Sequence, residues 1–416
     1  MKILLINNYH FRHGGAEAVY FNTADLLKQH GHEVIFFSLN REENDLCEQN
    51  SYFVDAIDQD CRGFINKIKG VSRYFYNKKA AIALDKLLND YKPDVAHIHL
   101  FWGGLSVSIL ETLKRHKIPV VHSVHEYRMI CPAYTFKDGT NKVCEECGSG
   151  HYWHCMKKKC SKGNVLLSTV MAAEMYYRNM FHHPAKYIDA FIFVSKFCRE
   201  IHFKYDNRIS QKYCIALYNF CNTDVVENKV DNKSTYNSYY LYYGRLSFEK
   251  GILTLIEAFS RYPNIKLKVV GVGPEEQMLK NKCNQEGISN IEFLGFKKGQ
   301  ELYELVQGAK FVCVPSEWYE NNPMTVVEAY SLNTPVIGAD IGGITEIIDD
   351  SKTGYLFESG NVGELCRKLE MSISLTQRAY DDMKRNANKF AVNNFDREQH
   401  YQRLIEVYNV CIGSIS

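Results

Sequence analysis

No stretch of this 416-residue chain reaches the roughly 18 consecutive apolar residues that a membrane span needs. The opening run Ile3-Leu-Leu-Ile6 is short and meets two asparagines, which fits a first β-strand and not a signal peptide. The cytoplasm is therefore the expected location, and the 14 cysteines are expected to be mostly thiols. A charge bias is also missing. Lys and Arg number 50 against 48 Asp and Glu, a net +2 that is too balanced for a nucleic-acid binder. Internal repeats and low-complexity tracts are absent from the sequence. So is a dinucleotide fingerprint: Gly14-Gly15 follows the first apolar run without the spaced glycines that NAD binding uses.

What is present is an alternation. Short apolar runs at 2–6, 34–37, 95–100 and 120–124 are separated by amphipathic stretches such as 16–29. After a polar segment at 223–237 the pattern starts again, with runs at 239–243, 266–270, 291–294, 311–314 and 336–339. Such βαβ spacing predicts parallel sheets, and the length predicts two of them. The expected fold class is α/β, two doubly wound Rossmann-like domains facing each other across a ligand cleft. The boundaries read as a first domain over 1–222 with a cysteine-rich insertion at about 131–162, a linker at 223–237, and a second domain over 238–393. A final helical stretch, 394–416, is expected to cross back to the first domain.

The most informative stretch is Glu320-Asn-Asn-Pro-Met-Thr-Val-Val-Glu328. Pro323 suits the first turn of a helix, Asn321 or Asn322 can cap it, and Glu328 then lies within it. A helix start between two carboxylates offers backbone N–H groups and a positive dipole end to a phosphate. A nucleotide-sugar, with a diphosphate between two polyhydroxyl groups, fits that arrangement. Gly244-Arg-Leu-Ser-Phe-Glu-Lys250-Gly251 supplies two cations in a glycine-bounded loop, able to neutralise a diphosphate; alone, the pair would read as solvated surface charge. Gly14 and Gly15 allow close backbone approach to a ligand at a helix start. His125 follows an apolar run and can meet a sugar hydroxyl or leaving phosphate, although a lone histidine is more often structural. His97 and His99 read as structural or cleft-lining, not as metal ligands. Cys144, Cys147, Cys155 and Cys160 have spacings that can close a structural zinc site, the alternative being unligated thiols in an insertion. Lys157–Lys162 beside 171–181 reads first as an exposed basic loop next to an ordinary helix, and second as a contact for anionic lipid or a lipid-linked acceptor.

Together these residues resemble glycosyltransferase family 4, retaining enzymes of GT-B architecture, over nearly the whole chain. Glu320 and Glu328 match the Glu-x7-Glu pattern, and Gly244, Arg245, Lys250 and Gly251 match the Gly-Arg…Lys-Gly element. Val270-Gly-Val-Gly-Pro274, Phe293-Leu-Gly295, Val314-Pro-Ser316 and Gly342-Gly-Ile-Thr-Glu346 also fit, and Gly14-Gly15 and His125 fit more loosely. The resemblance implies that Arg245 and Lys250 bind the diphosphate. It gives Glu320 and His125 the donor sugar, Glu328 the ribose, Met324 and Thr325 the phosphates or sugar, and the Phe293–Phe296 region the nucleobase. Glu126 stands where Asp is frequent in the family, and Asn321-Asn322-Pro323 where Gly-Phe is frequent, which bears on the donor sugar.

The implied reaction is transfer of a hexosyl group from a nucleoside-diphosphate sugar to an acceptor hydroxyl, with retention and no catalytic metal. Asp58-Gln-Asp60 resembles a metal-binding string but lies in a polar stretch outside the expected cleft. The family's habits point to bacterial surface-polysaccharide or lipopolysaccharide synthesis at the inner membrane face, with a glycan or lipid-linked acceptor. The alternatives are a nucleotide-sugar epimerase or a phosphorylase on the same fold, or a non-catalytic sugar-nucleotide-binding scaffold.

Overall fold

A computed structural model of the chain describes residues 1–12, 14–56, 64–221 and 239–414. The polar segment 223–237 and the Asp58–Asp60 string lie outside the described residues. The chain divides into two compact units, Met1–Leu217 with Glu398–Ser416, and Tyr218–Arg397.

The first unit contains β1 (Lys2–Ile6), β2 (Glu33–Phe37), the short pair β3 (Leu39–Asn40) and β4 (Val54–Asp55), then β5 (Val95–Ile98), β6 (Val120–Val124), β7 (Ala190–Phe193) and β8 (Tyr213–Ala216). Six of these form one parallel sheet in the order β2-β1-β5-β6-β7-β8. Ile3, Leu5, Val95, Val121 and Ile192 share one buried cluster on this sheet. The helix Arg397–Gly413 adds Leu404, Val407, Tyr408 and Cys411 to the same cluster. Burial of each such large side chain stabilises the unit by about 1.5–3 kcal/mol. The segment 131–162 lies between β6 and β7.

The second unit contains β9 (Tyr239–Tyr243), β10 (Lys266–Val270), β11 (Ile291–Gly295), β12 (Val312–Val314), β13 (Val336–Ala339) and β14 (Gly354–Phe357), all parallel, in the order β11-β10-β9-β12-β13-β14. Alternation along β9 shows why its aromatic run belongs in a central strand. Tyr240 and Tyr242 enter one buried cluster, while Leu241 and Tyr243 enter another. Both faces are covered, as parallel sheets require. The strand order reverses at β9, whose neighbours are β10 and β12. In open α/β sheets, ligands bind beyond the carboxyl ends of the strands at such a switch point.

Candidate functional site

The two loops singled out in the second half of the sequence leave β9 and β12, the strands that flank the switch point. The first begins at Gly244 and carries Arg245, whose carbonyl accepts a hydrogen bond from Tyr242 Oη at 2.8 Å. Arg245 itself is exposed. A short 3₁₀ turn, Phe248–Lys250, follows and ends on Gly251 at φ +67°. That left-handed backbone suits glycine, and a Cβ here would overlap the Pro315 carbonyl of the loop after β12. Gly251 therefore allows the two loops to touch.

Their contact is an ion pair. Lys250 Nζ lies 2.6 Å from Glu320 Oε1, and Ser316 Oγ donates to the same oxygen at 2.8 Å. The ammonium also sits 5.0 Å from the centre of the Trp318 ring. Glu320 is buried, with only 7% of its surface exposed. Burial pushes its carboxyl up, but the Lys250 charge and the hydrogen bonds outweigh this and hold it below the usual glutamate range. The carboxylate is thus kept ionised and fixes the lysine. Gly342 and Gly343 press on this loop from the other side, where Gly343 N–H donates to the Glu320 carbonyl at 2.7 Å.

The helix that follows is Met324–Ser331. Its start differs from the sequence expectation. Pro323 occupies the capping position itself with extended backbone, at φ −66° and ψ 120°, and no side chain caps the helix. Asn322 is engaged elsewhere: its Oδ1 accepts from Asn219 N at 2.8 Å, and its carbonyl accepts from Asn219 Nδ2 at 3.0 Å. An uncapped start leaves first-turn amides, those of Met324 and Thr325 among them, without partners inside the helix. Tyr243 Oη donates to the Thr325 carbonyl at 2.9 Å and ties the helix start to β9. Glu328 lies one turn further on, partly buried. Burial raises its carboxyl to about 7, against the smaller opposing effect of the Tyr243 hydroxyl beside it. Two glutamates eight positions apart are therefore in opposite states, one held ionised and one poised near neutrality. Tyr242, Tyr243, Lys250, Ser316, Glu320 and Thr325 line a small cavity of about 40 Å³. A wider depression of about 570 Å³, lined by Asp349, Lys352, Lys389 and neighbours, contains none of Arg245, Lys250, Glu320 or Glu328.

Phe293 and Phe296 are separate from this cluster. Phe293 packs on the buried core, with Lys280 Nζ 5.7 Å from its ring centre, and Phe296 stands 66% exposed just past the end of β11.

In the first unit, Gly14 caps the helix Gly15–Gln29 in extended backbone, φ −158°. His125 immediately follows β6. Its Nε2 lies 2.9 Å from His99 Nδ1, and the two rings stack at 10°. His125 is lowered to about 3 by burial first and by His122 second, so it is neutral near pH 7. His99 is fully buried, well below its ordinary value for the same first reason, and its Nε2 has no hydrogen-bond partner. His97 is structural, bridging Tyr408 Oη and Ser123 Oγ at 2.7 Å each. The His99–His125 contact is absent from the sequence reading; the only trace of it there is the His-x-His alternation on β5.

Of the insertion cysteines, Cys147 and Cys155 are buried, and Cys144 Sγ accepts from Lys158 Nζ at 3.4 Å. Among the described residues, no group of three or more His, Cys, Asp and Glu side chains is arranged to hold a metal ion.

Two family models match the chain: one described as Glycosyltransferase Family 4 over residues 13–224, the other as Glycosyl transferases group 1 over residues 226–390. An uncharacterized 42.6 kDa protein in the cps region of Klebsiella pneumoniae is 24% identical over 368 residues, covering 83% of this chain and 87% of its own. Two solved structures share the fold along the whole length. A sucrose-phosphate synthase from Thermosynechococcus elongatus has a TM-score of 0.71 at 17% identity, with 99% of each chain covered. HepE from Anabaena, in complex with UDP and glucose, has a TM-score of 0.69 at 17% identity, with 99% of this chain and 100% of that chain covered.

Proposed function

The chain belongs to glycosyltransferase family 4 and has the GT-B fold, and we propose that it is a retaining hexosyltransferase using a nucleoside-diphosphate sugar. The observation that carries this reading is the meeting of the β9 and β12 loops through Lys250 and Glu320, beside the start of the Met324–Ser331 helix. A fixed ammonium, an exposed guanidinium and helix-start amides all suit a departing diphosphate.

In the proposed reaction, the bond from the anomeric carbon to the diphosphate oxygen breaks as the acceptor oxygen bonds to the same face. The acceptor proton passes to the leaving phosphate oxygen. Lys250 and Arg245 neutralise the charge that develops on the diphosphate, where stabilisation acts on the transition state. Glu320 holds Lys250 in place at the sugar end. Glu328 takes the ribose hydroxyls, the first-turn amides around Met324 and Thr325 take phosphate or sugar, and exposed Phe296 is offered to the base more than Phe293. In the first unit, neutral His125 is able to accept from or donate to a sugar hydroxyl, and Gly14 and Gly15 open the backbone of a helix start to a ligand. The proposed setting is cell-surface polysaccharide synthesis, in keeping with the cps-region relative, and the proposal includes a cytoplasmic location and a glycan or lipid-linked acceptor.

A screen of UDP-, GDP- and ADP-sugars by thermal shift and by hydrolysis tests this reading. UDP-sugars come first because HepE binds UDP. Stabilisation by at least one donor, with acceptor-dependent release of the nucleoside diphosphate and a retained anomeric configuration by NMR, is expected. Donor consumption without acceptor and without hydrolysis would indicate an epimerase instead. No binding of any donor would sink the reading.

Glu328 supplies a pH signature. Folding holds its proton more tightly than the unfolded chain does, so its contribution to stability is present below about pH 4.5 and is lost as pH rises through about 7. Glu328→Gln is expected to raise Tm at pH 8 and leave it unchanged at pH 5. Ribose hydroxyls donating to the carboxylate would favour its ionised form. Titration calorimetry with the free nucleoside diphosphate, in buffers of different ionisation enthalpy near pH 6.5, should then show proton release that Glu328→Gln abolishes. Equal heats in all buffers would remove Glu328 from the ribose site.

A further inference from the structure

The helix Val165–Phe181 is built inside out. Its two charged residues face the protein: Arg178 is fully buried and Glu174 nearly so, and their side chains pair at 2.8 Å. Arg178 Nη2 also donates to the Arg128 carbonyl at 3.0 Å, and its guanidinium lies 4.3 Å from the centre of the Trp102 ring. The opposite face carries no charge. Leu166, Met180 and Phe181 are 72%, 67% and 57% exposed, with Ala173 and Tyr176 between them. Helical spacing places these residues in one stripe. An ordinary surface helix has the reverse polarity, so an uncharged outward face of this length marks a contact surface.

The surface continues onto the neighbouring helix Trp153–Lys157. Trp153 and Met156 are exposed there, and Trp153 N–H donates to Tyr176 Oη at 3.4 Å, which joins the two helices at this face. Lys157 Nζ lies 5.9 Å from the Trp153 ring centre, and Lys159 and Lys162 stand exposed on the turn between the helices. The nearby acids are already engaged, Glu146 by Lys158 and His154, and Glu145 by Lys204. An apolar stripe with a tryptophan and three lysines beside it has the composition of an interfacial segment.

We propose that this face lies on the surface of an anionic lipid bilayer, with the Leu166–Met180 stripe in the headgroup–acyl boundary and Lys157, Lys159 and Lys162 among the headgroups. Charge complementarity selects the bilayer over a second copy of the chain. A self-contact through this face would bring the same lysines to both of its sides, whereas anionic headgroups answer them. The proposal stands on this surface alone and does not depend on the transferase reading.

The test is co-sedimentation of the full chain with sucrose-loaded vesicles of phosphatidylcholine, with and without phosphatidylglycerol. The protein is expected to pellet with the phosphatidylglycerol vesicles, less so at high salt, and to stay in solution with phosphatidylcholine alone. Leu166→Glu/Met180→Glu should abolish pelleting. Lys157→Gln/Lys159→Gln/Lys162→Gln should weaken it on the order of 100-fold. Both variants should keep the wild-type melting temperature, because the replaced side chains are exposed. Wild-type protein that ignores phosphatidylglycerol vesicles would overturn the proposal, as would pelleting unchanged by Leu166→Glu/Met180→Glu. A dimer by light scattering that the same double substitution dissociates would assign the face to a second copy instead.

Discussion

Replacing Arg245 with alanine is expected to lower kcat on the order of 10²–10³-fold and leave Tm unchanged, because the side chain is exposed and placed to stabilise charge on a leaving group. Lys250→Ala is expected to behave differently. It should lose turnover to a similar degree and also lose stability, because Glu320 is then left buried without its cation. The full penalty for orphaning a buried charge is discounted here, since 27% of the Lys250 side chain is open to solvent. A loss of about 2 kcal/mol is the expected size. The double variant Lys250→Ala/Glu320→Gln removes the orphaned charge, so it should recover most of the stability and none of the turnover. Steady-state kinetics and thermal melts on the four proteins check this. Near-normal turnover in Arg245→Ala and Lys250→Ala would refute the charge-stabilising role. An unrecovered double variant would show that the 2.6 Å pair is not what stabilises the loop.

The second large effect is expected at Gly343. A Cβ there would overlap the Asn321 carbonyl, which is backbone and cannot swing aside. The loop between β12 and the Met324–Ser331 helix would have to move, and the Gly343 N–H to Glu320 carbonyl bond would break with it. Gly343→Ala is expected to cost roughly 2–4 kcal/mol and to abolish stabilisation by nucleoside diphosphate, although residue 343 carries no functional group. Gly363→Ala is the control. Gly363 lies in the first turn of the helix Val362–Ile373, where a Cβ would meet only Asn361 Oδ1 at 3.4 Å. It should be neutral or stabilising by about 0.5–1 kcal/mol. Melts with and without ligand decide between outcomes; a Gly343→Ala protein with wild-type Tm and normal ligand response would mean that the loop tolerates displacement.

Much of the fold is legible in the chain because central strands announce themselves. Ile3–Ile6 and Tyr239–Tyr243 lie in strands covered on both faces, so they read as continuous apolar or aromatic runs, and Val120–Val124 keeps apolar ends around His122 and Ser123. The short strands Tyr213–Ala216 and Gly354–Phe357 mix polar or small residues into brief runs and do not stand out. Glu320, Glu328, Arg245 and Lys250 are recognisable because their spacing is local to two loops. Their relations are not. The Lys250–Glu320 pair spans 70 positions, and the Asn219 contacts that take Asn322 away from helix capping span 103. The same holds for Glu174 and Arg178. At four positions apart they look like an exposed helical ion pair, and only the neighbours from other elements show that they point inward.

The position of the helix Arg397–Gly413 has a consequence for synthesis. The first unit is made of two chain segments with the whole of the second unit encoded between them. Ile3, Leu5 and Val95 emerge from the ribosome early, yet their partners Leu404, Val407 and Tyr408 follow only after the whole second unit. The second unit, continuous in sequence, can close its own core while this cluster of the first unit, already holding Tyr20, Ala24 and Leu27 of the early helix Gly15–Gln29, still lacks the side chains of the later one. The nascent chain thus carries an incompletely covered apolar patch while the second unit is being made, and a chaperone able to cover that patch would act on this protein during its synthesis.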